Sequence, residues 1–126
     1  MRKNSTTVIP YDQIDYEIIN LIRYINNIDG IETTNSCCGH GKYPCRIWFK
    51  ADSLADVTKF IYKYLYCNPN WRVSLALTDV EIDNKDWGNP TFLLETTLKD
   101  NFYVGLAIDN LTYKFRLSAI EDIKKK

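Results

Sequence analysis

Apolar positions change their period along this chain, and each change marks an element. Ile14, Ile18, Leu21, Ile22, Ile25 and Ile28 recur at helical spacing, with Asp12 and Asp15 at the end where a helix dipole favours acids and Gly30 as a stop. This is the first helix. Ile31 to Cys37 reads as a strand, Gly39 and Gly41 punctuate a turn, and Cys45-Arg46-Ile47-Trp48-Phe49-Lys50 reads as the partner strand of a hairpin. Ser53 with Asp56 resembles a capping box in which Asp replaces the usual Glu. Leu54, Val57, Ile61, Tyr64 and Leu65 then share one face of a second helix, which ends before Asn68-Pro69-Asn70.

Period two follows. Trp71, Val73, Leu75 and Leu77 alternate with Arg72, Ser74, Ala76 and Thr78, the pattern of a half-buried strand. Asp79 to Pro90 is acidic and turn-rich, and is the longest expected loop. Thr91 to Leu98 reads as a strand and Lys99-Asp100-Asn101 as a turn. Phe102, Val104, Leu106 and Ile108 then form the inner face of another strand, with Asp109-Asn110 as a two-residue hairpin turn. Leu111, Tyr113, Phe115 and Leu117 give a last strand, and Ser118 with Glu121 caps a short terminal helix ending in three lysines. The predicted order is α-β-β-α-β-β-β-β-α, an α+β fold with an antiparallel sheet and helices packed on one face.

A chain of 126 residues with 45% apolar and 25% charged positions suits one domain, 1–126, in which 1–10 form a flexible or extended N-terminal segment. Sixteen basic residues cancel sixteen acidic ones, so no overall field draws in a long nucleic acid, although a few local cations suffice for a small anion. The basic start Met1-Arg2-Lys3 is not followed by an apolar stretch, which reads against a signal peptide and places the protein in the cytoplasm. No run approaches the roughly 20 apolar residues of a membrane span. Four cysteines in a reducing compartment are expected as free thiols or metal ligands rather than a disulfide framework.

The candidate chemistry gathers at the hairpin tip, Ser36-Cys37-Cys38-Gly39-His40-Gly41-Lys42. As a zinc site, Cys37, Cys38, His40 and Cys45 offer suitable donors, but neighbours on a strand point to opposite faces and the spacing does not match paired ligands. As a nucleophile site, His40 would activate Cys37 or Cys38, yet no third orienting group is evident. As an anion nest, Gly39 and Gly41 let backbone N–H groups converge, with Ser36, His40 and Lys42 as further donors. The bland equivalent is a glycine-containing turn. Outside the tip, Trp87 in its Gly/Asn/Pro loop, beside Asn89, is the aromatic placed to stack a base. Phe92 and Tyr113 read as strand residues facing a core. Arg46, Arg72 and Arg116 fall on expected strand positions away from the main apolar row, where they serve either a phosphate or water.

The run from Gly30 through Lys42, continuing to Pro44 and Arg46-Ile47-Trp48-Phe49, resembles small phage-encoded proteins that include the Thoeris anti-defence sponges. The likeness covers about residues 14 to 65. It implies a non-catalytic protein without a cofactor that sequesters a cyclic ADP-ribose isomer made by immune TIR-domain enzymes, with the ligand held around Ser36 to Lys42. A homo-oligomer is expected on separate grounds, since so small a domain offers little concave surface of its own. The strand-turn-strand is also similar to that of wybutosine-synthesis methyltransferases, but those continue with Arg where this chain has His40. A small enzyme using zinc or a Cys/His pair, and a protein–protein interaction module, stand as the alternatives.

Overall fold

The computed structural model describes residues 14–38, 44–76, 91–98 and 101–124. A 3-10 turn, Tyr16–Ile18, leads into helix α1, Ile19–Asn26. Strands β1, Ile31–Cys37, and β2, Arg46–Ala51, follow. Helix α2, Leu54–Phe60, runs on into a π turn, Ile61–Leu65. Strands β3, Trp71–Leu75, and β4, Thr91–Thr96, precede the long helix α3, Asn101–Lys124. The strands form one antiparallel sheet in the order β1-β2-β4-β3.

Sheet register explains how the core is made. Ile31 pairs with Ala51 and Thr33 with Phe49; Ile47 lies opposite Leu94, Phe49 opposite Phe92, and Val73 opposite Leu94. These residues share one face because side chains alternate along a strand. Against that face pack Ile18, Leu21, Ile22 and Ile25 of the first helical segment, Val57 and Phe60 of α2, and Val104, Ile108, Leu111 and Phe115 of α3. Every helix among the described residues therefore lies on the same side of the sheet. The α+β architecture expected from the sequence is what the chain adopts.

Local signals set the joints. Ser53 Oγ accepts the Asp56 N–H at 3.2 Å, closing the first turn of α2 as the capping pair predicts. Gly30 adopts a left-handed φ of +85°, and a Cβ there would run into the Asp56 carboxylate. Asn26, fully buried at the end of α1, donates from Nδ2 to Thr33 Oγ1 at 2.9 Å and accepts the Thr33 N–H at 2.8 Å. One side chain thus ties a helix end to β1 and leaves no buried amide unpaired at that joint. A bulge between Thr33 and Asn35 shifts the β1 register by one residue, so that Asn35 and Cys37, rather than Thr34 and Ser36, share a face with Trp48 and Arg46.

The C-terminal third departs from the expected pattern. The strands predicted at Phe102 to Ile108 and Leu111 to Leu117, with their Asp109-Asn110 hairpin, are instead one 24-residue helix, and Ser118 and Glu121 lie inside it rather than at a cap. The physical reason is a helix with two apolar stripes. Val104, Ala107, Ile108, Leu111 and Phe115 are buried at spacings of three and four, whereas Leu106, Tyr113, Leu117 and Ile120 stay exposed. Interleaved, the two stripes fill alternate positions and imitate a strand.

Candidate functional site

The face of the sheet that no helix covers among the described residues carries a short row of charge. Cys37 pairs with Arg46, Arg46 with Glu95, and Arg72 with Glu95, so three strands bring two guanidinium groups to one carboxylate. Arg46 Nε donates to Glu95 Oε2 at 2.7 Å, and Arg72 donates from Nε at 3.0 Å and from Nη2 at 2.7 Å to Oε1. The carboxylate side chain is only 7% exposed, against 38% for Arg46 and 64% for Arg72. Glu95 is thus roofed by the two arginines. Burial alone would raise its pKa; the hydrogen bonds from Arg46 and Arg72, joined by their charges, outweigh burial and hold it below the ordinary value of 4.5.

One step along the strands lies a second row, Asn35, Trp48, Leu93 and Ser74, in register on the same face. Trp48 and Leu93 are half-buried, and Asn35 and Ser74 are exposed. Trp48 and Arg46 are two residues apart on β2, an advance of about 7 Å along the backbone. Together they combine a π surface with a net positive charge, since two guanidinium groups face one carboxylate. Glu95 holds Arg72 by two hydrogen bonds and Arg46 by one, and among the described residues Arg46 makes no hydrogen bond from its Nη atoms. Such an arrangement suits a planar ring carrying a phosphate or another small anion.

Of the residues singled out from sequence, Arg46 and Arg72 are therefore brought together. Ser36 sits opposite Ile47, in register with the helix-covered side. Arg116 is not on a strand: it lies on α3 in the helical layer, beside Asn20, Arg23, Tyr24 and Asn27, and does not join the other two arginines. Gly39, His40, Gly41 and Lys42, with Trp87 and Asn89, lie outside the described residues. Strand β1 ends at Cys37 and β2 begins at Arg46, at the end of the sheet that holds the charged row. Phe92 is buried as expected, but Tyr113 is exposed on α3. Trp48 and Glu95 were not singled out from the sequence as candidate site residues. Strict alternation through Arg46, Trp48 and Lys50 against Ile47 and Phe49 was the available signal for Trp48. Glu95 had none, because its role depends on cross-strand register.

The cysteines divide by burial. Cys38 and Cys45 are buried, Cys37 is half-buried and Cys67 is exposed. Desolvation pushes the Cys45 thiol far up, with Cys38, Cys37 and Asp15 adding to the rise, so it stays protonated near neutral pH and is a poor nucleophile. The Cys38 N–H donates to Asp15 Oδ2 at 2.9 Å, anchoring the base of the hairpin to the first helix. Among the described residues no group of three His, Cys, Asp or Glu side chains is placed to hold a metal ion.

A concavity of about 460 Å3 opens between the helices. Its aromatic floor includes Tyr64 stacked on Phe115 at 3.9 Å and Tyr24 stacked on Phe115 at 5.7 Å. Asp29, Asp56 and Asp122 outnumber Lys59 and Lys63 around it, and Lys63 is 3.9 Å from Asp122. Acid excess makes this cavity the poorer host for an anion. Among the described residues, no helix is long and apolar enough to cross a membrane. Comparison with protein families, curated proteins and solved structures finds no match to this chain.

Proposed function

We propose that this is a non-catalytic cytoplasmic protein that captures a small anionic, nucleotide-type ligand on the open face of its sheet, and that its ligand is a cyclic nucleotide-type immune signal of the cyclic ADP-ribose class. The observation that carries the binding site is the convergence of Arg46 and Arg72 on buried Glu95, one row away from Trp48. Two guanidinium groups held in place before the ligand arrives reduce the ordering cost of gripping a phosphate. An indole on the same surface supplies the stacking partner for a base.

The choice of a cyclic ADP-ribose isomer comes from the likeness of Gly30 to Lys42 to phage sponges. Sequestration needs affinity and no transition-state stabilisation, which fits a surface whose acid and bases are locked together. The test is capture and release. Protein incubated with cyclic ADP-ribose isomers should remove ligand from the filtrate, and heating should return it intact. Arg46→Ala with Arg72→Ala should weaken capture by about a hundredfold, on the scale of two lost charge-assisted contacts. Ligand returned cleaved would show an enzyme, and ligand never captured would remove this class of signal. Capture unchanged in the double variant would move the site off the sheet.

A further inference from the structure

We infer that the protein self-associates through the outer face of α3 as a parallel, in-register two-stranded coiled coil. The buried stripe of this helix faces its own core, but the other stripe follows a heptad. Tyr103, Asn110, Leu117 and Lys124 occupy the a positions and Leu106, Tyr113 and Ile120 the d positions, an unbroken 3-4-3-4-3-4 spacing. Tyr103, Leu106, Tyr113, Leu117 and Ile120 are all exposed large apolar residues. A single helix lying on a core needs only one stripe; a second at a period of 3.5 is the mark of a helix that meets another helix. The seam spans three heptads of a helix about 36 Å long.

Charge identifies the occupant as a second copy. In a parallel pair each g residue meets the e residue of the following heptad on the other helix. Here g and e are Asp109 with Lys114, and Arg116 with Glu121, so both meetings join opposite charges and each occurs twice by symmetry. All four side chains are exposed, and among the described residues none of them is in an ion pair. Asn110 then meets Asn110 of the second copy, where the two amides hydrogen-bond each other and fix both register and two-stranded state. The antiparallel arrangement that aligns Leu106 with Leu117 is the less favourable: it also joins Asp109 to Arg116, but it sets Asn110 against Tyr113 and Lys114 beside Ala107.

Sedimentation equilibrium of the full chain should give a concentration-dependent dimer. Lys114→Asp, which turns two attractions into repulsions, should weaken it roughly tenfold. Adding Asp109→Lys to that variant should restore the wild-type constant, a rescue that a merely misfolded protein would not show. In a Cys67→Ser background, Asn110→Cys should form an intermolecular disulfide under mild oxidation. A monomer at about 100 μM, where even a modest coiled coil associates, would overturn the inference. So would rescue of Asp109→Arg by Arg116→Asp together with no cross-link at position 110, the signature of the antiparallel pair.

Discussion

Glu95 is the residue on which the open face turns. Its carboxylate is buried by the two arginines it binds, so replacing it leaves two guanidinium groups side by side without their counter-ion. Glu95→Gln, which keeps the shape, should cost about 1–2 kcal/mol near neutral pH, between the values for an exposed and a buried pair because both arginines reach water. Because the folded-state pKa is lowered, the carboxylate's contribution is complete above its ordinary value of 4.5 and is lost as pH falls through the folded-state value. The deficit of the variant, measured by denaturant unfolding, should therefore be full near neutral pH and shrink as the pH is taken down below 4.5. A deficit that does not change with pH would show that charge is not what the site uses. The arginines were legible in the sequence because alternation set them off the apolar row. Their common partner was not, since β2, β3 and β4 are distant in sequence and only register brings Arg46, Arg72 and Glu95 to one line.

Elements show the same split between local and long-range information. The first helix, the β1–β2 hairpin and α2 were legible because each has a stop or cap at its own end: Gly30, the tip glycines, and Ser53 with Asp56. For α3 the local signal misled, because a stripe for its own core and a second stripe for the outside add up to near-continuous apolarity. Two glycines test these assignments in opposite directions. Gly105 is inside α3 and a Cβ there would meet nothing within 4 Å, so Gly105→Ala should raise stability by about 0.5–1 kcal/mol. Gly30→Ala must instead strain a positive φ and push aside Asp56, the N-cap partner of α2, and should lower stability by about 2 kcal/mol or more. Thermal melts of the two variants beside the wild type check both signs.

At the scale of the molecule, the layers separate the two proposed surfaces. All helices of the described chain sit on one side of the sheet, so the face with Arg46, Arg72 and Trp48 and the outer stripe of α3 lie in different layers. A variant that breaks the coiled coil, such as Lys114→Asp, should therefore capture as much ligand per chain as the wild type, within about twofold, by equilibrium dialysis. A larger loss would mean that the site is shared between copies. The α+β layering itself was readable from the order of periodicities, because a sheet that is apolar on one side must hide that side under helices. Which surface remains for a ligand was not, as it follows from where the helices go rather than from any one segment.

The one-sided sheet also bears on how such a protein would work at high signal load. Its charged faces would point outward from a paired helical layer, giving a particle with two receptors that fill independently. Removal of signal would then rise in proportion to the number of chains made, and free signal would climb only once those receptors are filled.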